Sequence, residues 1–368
     1  MNNKDTDAKK YAKTKNIISF SETILFFAVF LTLILSGLTK VAEQYARSLT
    51  SNEYIALLVF ILLISIPEII LVSPLSFYSS FILEHKYGLS NQTFLTYLKE
   101  KLKGLVLSSV IGIPLLFAFY YIIRNYGDLW WLILGIVIFF FSVILGQLAP
   151  VIIMPLFYKF REIENESLKN KLLSLCEKAG VKIKGIYTFD MSKNTKKANA
   201  AFTGLGKTKR IILGDTLIDK FSDEEIGIVF AHEMGHYTKG HIVKMMAVST
   251  VITFLGLYLT AQLYSALLPV FHLTSQHELS ALPLLFLLIS LYGIITSPIS
   301  NIQSRKYEWE ADTYALETTN DKTSFISAME KLADQNLADK EPNKFIEFLF
   351  HSHPSLQKRI DFADNYNV

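Results

Sequence analysis

"AHEMGHYTKGHIVKMMAVSTVITFLGLYLTAQLYSALL", residues 231–268, joins two patterns with opposite solvent demands. Its first residues set His232 and His236 four apart with Glu233 directly after the first, a spacing suited to a metal ion, whereas Ile242 to Leu268 is apolar enough to cross a bilayer. A polar site therefore stands at the mouth of a membrane span.

Working outward, six stretches of about 20 apolar residues stand out: Ile17 to Leu38, Ile55 to Phe81, Gly104 to Ile123, Leu129 to Phe157, Ile242 to Leu268 and Ala281 to Ser300. In a chain of 368 residues, 51% of them hydrophobic, these exclude an ordinary soluble fold and predict an integral membrane protein. The first run is too long for a signal-peptide core and no A-x-A-like cleavage site follows it, so it reads as a span. The fourth is long enough to tilt or break at Pro150 and Pro155. A net charge of +3 is too small and dispersed for nucleic acid. The single cysteine, Cys176, rules out an internal disulfide and a cysteine-rich zinc site.

Lysine and arginine set the orientation. Lys4, Lys9, Lys10, Lys13 and Lys15 precede the first span, and Lys86, Lys99, Lys101 and Lys103 follow the second. The opposite loops carry only Lys40 and Arg47, then Arg124, then none between Pro269 and Ser280. Six spans with both termini inside satisfy the positive-inside rule, which places the histidine motif at the cytoplasmic membrane surface and, in a bacterium, at the inner membrane. The expected organisation is a basic cytoplasmic tail (1–16), four spans (17–157), a cytoplasmic α+β segment (158–241), two further spans (242–300) and a cytoplasmic helical segment (301–368). The fold class is thus a mainly α polytopic membrane protein with a small α+β domain.

Within the cytoplasmic segment, "ESLKNKLLSLCEKAG" places Leu168, Leu172, Leu175 and Cys176 at helical spacing and Gly180 as a stop. "VKIKGIYTF" alternates as a half-buried strand, "NAAFTG" is a short extended piece, and "GLGKTK" is a turn into the strand "RIILGD". Ser222, with Glu225 three residues on, forms a capping box that starts the motif helix. That helix is expected to run into span five with a kink near Gly240. After span six, Ser304 to Gln335 reads as one long helix.

One helical turn apart, His232 and His236 can both reach one zinc ion, and Glu233 points beside it, where a carboxylate can deprotonate a water whose pKa the metal has lowered to about 7. Such a site needs a third protein ligand. His241, five residues after His236, fits no helical turn and reads as a surface or outer residue; His272 and His277 lie beyond the bilayer. In "SRKYEWEAD", Glu308 and Asp312 lie four apart, so one carboxylate can bind metal while the other orients a ligand histidine. The competing reading is a solvated helix pairing with Arg305 and Lys306, and Glu310 is left to it.

"HEMGH", "SRKYEWEAD", "NAAFTGLGKTKRIILGDTL" and "HSHPSLQKRI", in this order around two late spans, resemble the integral-membrane CAAX prenyl endopeptidases, as does "EHKYGLSNQT" after span two. The resemblance covers nearly the whole chain from the first span. It implies a zinc endopeptidase with His232, His236 and Glu308 as ligands, Glu233 as general base and Asp312 as partner of a ligand histidine. It further implies that Asn199 and Ala200 lie on an edge strand that holds the substrate, that His353 stabilises the oxyanion and that Arg359 receives the substrate's polar or carboxylate end. The implied partners are membrane lipids and a peptide or membrane-protein substrate, cut near a lipidated C-terminus inside a large hydrated chamber. Departures are a count of six spans where eukaryotic members have seven, Ala201 at an aromatic position and a single Pro354 where two prolines are common. A membrane quality-control protease of the HtpX type is the nearest rival, and a carrier with a structural zinc is a more distant one.

Two further features carry expectations. Glu68, after Pro67 inside span two, either lines a wet cavity or reaches water where proline breaks the helix. Trp130 and Trp131 are read as interfacial anchors.

Overall fold

The computed structural model describes residues 3–203 and 210–366. Twelve principal helices and four strands organise these residues. The first five helices are α1 (Asn3–Leu35), α2 (Leu38–Leu49), α3 (Glu53–Phe77), α4 (Phe94–Asn125) and α5 (Trp130–Leu148). Strand β1 (Phe160–Glu162), α6 (Glu166–Lys178) and strands β2 (Ile186–Phe189), β3 (Ala200–Thr203) and β4 (Arg210–Gly214) follow. The chain closes with α7 (Asp223–Thr238), α8 (His241–Leu267), α9 (Leu282–Thr319), α10 (Lys322–Asn336), α11 (Lys344–Phe350) and α12 (Leu356–Asn365).

Six helical stretches among the described residues are long and apolar enough to cross a membrane, matching the six apolar runs. The last of them buries half of its apolar window and the others only 11–22%, so α9 runs through the middle while the rest turn apolar faces outward. At the end away from the termini the spans close on one another around Leu57, Phe60, Tyr120, Tyr264 and Leu285. Two cavities lie toward the end that carries both termini, alongside α1 and α11.

Proline acts more gently than expected. α3 continues through Pro67 and Pro74 and winds into a π turn at Tyr78–Ile82, and the fourth span bulges as a π turn at Ala149–Ile153 rather than breaking at Pro150. Glu68 therefore stays helical and lines a cavity with Glu22. Trp130 corrects the anchor reading: it is fully buried, edge-on to Phe119, and Trp131 packs edge-on to Tyr258. Helix–helix packing at this end takes up indole surface that an interfacial anchor would leave to the headgroups.

Outside the spans, the sheet has the order β1-β2-β4-β3. β2 and β4 are parallel and central, and β3 pairs antiparallel with β4 at one edge. Sequence periodicity finds three of the four strands; β1 is too short to show a period. The turn "GLGKTK" lies outside the described residues. α6 buries the Leu168, Leu172, Leu175 and Cys176 face, and Gly180 takes φ +64 just past its end, as a helix-stopping glycine does.

Two expected continuities are interrupted. α7 ends at Thr238 and Gly240, at φ +68, turns the chain before α8 begins, so the motif helix and span five are separate helices. Asn320, at φ +51, ends α9, so the predicted helix from Ser304 to Gln335 is the end of span six plus α10. A left-handed residue reverses the local chain direction at each point, and glycine and asparagine adopt that conformation most cheaply.

Candidate metal centre

Local sequence fixes the helix that carries the motif. The Ser222 side chain accepts from Glu225 N, and Glu225 accepts from Ser222 N. Glu225 also accepts from Ser327 and Lys331 on α10, which ties the start of α7 to that helix. Nearly three helical turns on, Gly235 touches Ala311 of α9: a Cβ there would lie 3.0 Å from Ala311 Cα and 3.2 Å from its carbonyl oxygen. The missing side chain lets two helices meet closely enough for their ligating groups to converge.

His232 Nε2 and His236 Nε2 lie 3.2 Å apart, His232 Nε2 is 3.3 Å from Glu308 Oε2, and His236 Nε2 is 3.3 Å from Glu308 Oε1. Tetrahedral coordination with bonds of about 2.0–2.1 Å requires ligand atoms about 3.3 Å apart. All three separations are close to that length, with the two imidazoles facing different oxygens of the one carboxylate. Glu308 is buried and its Oε2 has no hydrogen-bond partner among the described residues, as suits an atom directed at a cation. These residues fit a divalent metal. Among the described residues, theirs is the only such group of histidines, cysteines and carboxylates.

Asp312, not Glu308, is the outer carboxylate. Its Oδ1 is 2.8 Å from His232 Nδ1, so a ring that turns Nε2 to a metal carries its proton on Nδ1 and donates it to Asp312. Arg359 then holds Asp312 in place through Nε to Oδ2 at 2.8 Å and Nη2 to Oδ1 at 2.5 Å, with both side chains buried. Burial works against a charged His232, but the carboxylates of Asp312 and Glu308 beside it outweigh that and raise its pKa to about 9. The contacts of Arg359 with Asp312 use Nε and Nη2, and Nη2 also lies 3.3 Å from His232 Nδ1. His353 is brought to the site: its Nε2 is 3.3 Å from Glu308 Oε1 and its ring is well exposed. Arg305 donates to the carbonyls of Glu347 and His351, and Glu347 accepts from Ser355 N, so the loop that bears His353 is tied to α9.

Glu233 is half-buried and makes no hydrogen bond or ion pair among the described residues. Asn199 is exposed at the start of β3, with its carbonyl accepting from Gly214 N, and Ala200 begins the strand, which packs beside α7.

Of the two readings offered for His241, surface or outer residue, the contacts place it as the second. It is buried, stacks on Tyr307 at 4.3 Å, and its Nδ1 lies 3.0 Å from His236 Nδ1 while its Nε2 lies 3.0 Å from Glu310 Oε2. Gly240 folds the chain back so that a residue five places on, out of helical phase, returns to His236. Glu310 therefore is not merely solvated. With His236 Nε2 turned to the metal, the Nδ1 proton must go to His241 Nδ1, and His241 in turn donates from Nε2 to Glu310. The useful sequence signal was the glycine: it marks a turn, and a turn cancels the helical period.

Residues 162–367 match the family model described as peptidase family M48, and residues 2–159 match one described as the CAAX prenyl protease N-terminal region with five membrane helices. The chain belongs to peptidase family M48. Among M48 relatives, a protein named uncharacterized metalloprotease YhfN from Bacillus subtilis is 30% identical over 361 residues, covering 97% of this chain and 84% of that one. CAAX prenyl protease 1 from Saccharomyces cerevisiae is 34% identical over 313 residues, covering 79% and 68%. The solved structure of S. mikatae Ste24p superposes with a TM-score of 0.87 at 28% identity, covering 99% of this chain and 89% of that one. This M48 member is a multi-pass membrane metalloendopeptidase. Where the N-terminal family description counts five membrane helices, residues 2–159 here supply four candidate spans.

Proposed function

We propose that the chain is a zinc endopeptidase of the CAAX prenyl protease type, cutting peptide bonds at the cytoplasmic face of its membrane. The observation that carries the reading is the convergence of two imidazole nitrogens, 3.2 Å apart, on the buried carboxylate of Glu308, a donor set suited to zinc. Zinc, when bound, would polarise a peptide carbonyl and acidify a water. Glu233 takes the proton from the attacking water and passes it to the leaving amine. His353, at the rim beside Glu308, donates to the oxygen on which negative charge develops. An extended substrate pairs with the free edge of β3 at Asn199 and Ala200, which aligns its backbone past Glu233. Asp312 holds the imidazole of His232, and Arg359 holds Asp312. Orientation toward the cytoplasm is supported by the lysine-rich segments on the side of the termini.

The test compares Glu233→Gln with Glu308→Ala. Glu233→Gln is expected to keep stoichiometric zinc while cleavage falls by about two to four orders of magnitude, and Glu308→Ala to lose the metal. Undiminished cleavage by Glu233→Gln would overturn the mechanism. A farnesylated C-terminal peptide cut faster than its unlipidated twin supports the CAAX type; equal rates favour a quality-control role.

A further inference from the structure

α2 links the first two spans at the end away from the termini without being a span itself. Its 12 residues extend about 18 Å at ~1.5 Å each, short of a hydrocarbon thickness of ~30 Å. Gly37, at φ +75, turns the chain out of α1 just before it begins. Three faces follow from the sequence. Thr39 and Ala46 are buried on the side that meets α3 and the Leu279–Ala281 turn, with Ala42 and Glu43 half-buried beside them. Lys40, Gln44 and Arg47 make a polar face. Leu38, Val41, Tyr45 and Leu49, spaced three, four and four apart, form an apolar stripe and are 50–58% exposed.

Polar contacts hold the stripe outward. Glu43 accepts from Ser280 N, Arg47 donates to Glu43 and to Glu53 at the start of α3, and Lys40 donates to the His272 carbonyl. Bonds to three other segments resist rotation of α2 about its axis. They also occupy both cations of the helix, which removes the usual attraction of an amphipathic helix for anionic headgroups. The neighbours of the stripe indicate what covers it. Leu31 and Leu35 at the end of α1, and Ile55 and Leu62 of α3, also turn apolar surface outward, and they belong to stretches long enough to lie among acyl chains. Leu38 follows Leu35 by three residues across the turn, so the stripe continues the lipid-facing surface of the two spans that α2 joins.

We propose that α2 lies in the membrane interface on the side away from the termini, with Leu38, Val41, Tyr45 and Leu49 among the acyl chains and its polar face in water. The apolar face of such a helix sits about 5–10 Å into the boundary between headgroups and chains. Its partner is the hydrocarbon of that leaflet, not a charged headgroup.

The experiment reads nitroxide labels on cysteine variants of the full-length protein, one copy per phosphatidylcholine nanodisc. Cys176 is buried, and wild type carried through the labelling serves as the blank. Relaxation by oxygen, which favours hydrocarbon, is compared with relaxation by a water-soluble nickel chelate. Labels at Tyr45→Cys and Leu49→Cys should give an oxygen-to-nickel ratio near that of Leu62→Cys on α3, and Gln44→Cys a ratio near that of Ser167→Cys on α6, an exposed position outside the spans. Leu38→Cys and Val41→Cys read the same stripe should either variant fail to fold. Replacing part of the lipid with anionic phosphatidylglycerol should change none of these ratios. Nickel access at Tyr45 and Leu49 equal to that at Gln44 would put α2 in water. Low access of both reagents would put protein over the stripe, and insertion only with the anionic lipid would make the headgroup the ligand; each of these three results overturns the proposal.

Discussion

Arg359→Met removes the guanidinium that two hydrogen bonds join to Asp312 and leaves Asp312, wholly inaccessible, with His232 as its remaining partner. A surface pair would lose little, because water replaces the missing partner. Here no water can, and stranding one member of a buried ion pair costs about 3–5 kcal/mol. At about 1.4 kcal/mol per decade, the unfolded population rises by roughly two to three and a half orders of magnitude. Thermal and denaturant unfolding of the metal-free protein in one detergent measures this, with Lys169→Met, which breaks an exposed pair with Glu166, as the reference that should hardly move. Asp312→Leu/Arg359→Met removes both charges and should recover much of the loss, because an apolar pair of similar volume needs no desolvated charge. It should still bind metal weakly, since nothing then orients His232. The reasoning fails if Arg359→Met costs no more than Lys169→Met, or if the double variant simply sums its two parents.

Three further outcomes are expected. Gly235→Ala should push α7 off α9, at about 1–3 kcal/mol, and weaken zinc binding in chelator competition; Gly227→Ala, whose Cβ would meet only the flexible end of Lys171, should do neither. His241→Gln should lower metal affinity about 10- to 100-fold and Glu310→Gln by less, because Glu310 is partly exposed; a ligand His236 indifferent to both would refute the chain of protons drawn above. Burial opposes ionisation of Glu225, but its bonds to Lys331, Ser327 and Ser222 hold its pKa below the ordinary 4.5. Its stabilising effect is therefore present above that value and lost as pH falls through the lower folded one. Glu225→Gln should cost about 1 kcal/mol near neutrality, and unfolding midpoints at pH 7 and pH 3 should converge on acidification.

What could be read in advance divides along physical lines. Spans were legible because the bilayer imposes a length and an oil-like composition on each. His232, His236 and Glu233 were legible because one helical turn is a fixed spacing. Glu308 and Asp312 were legible only as a pair: both lie on the facing side of α9, and which one meets the metal depends on the offset between α7 and α9, which is a tertiary quantity. His241 was hidden by the left-handed turn at Gly240, and the end of α9 by that at Asn320. Trp130 was misread for another reason: composition cannot distinguish an indole facing headgroups from one enclosed by neighbouring spans.

The mounting of the three ligands has a mechanical consequence. Glu308 rides on α9, whose 38 residues extend about 57 Å at ~1.5 Å each, well beyond a hydrocarbon thickness of ~30 Å. A thicker or thinner membrane changes the inclination of a rod like this and shifts the carboxylate that it carries beyond its apolar stretch. His232 and His236 stand on α7, which meets α9 closely at Gly235 and Ala311 and is tied to it through Asp312, so they are carried along. The three ligating groups would thus tilt as one body, so that lipid composition sets the depth and inclination of the site at the membrane surface while the spacing between the groups is kept.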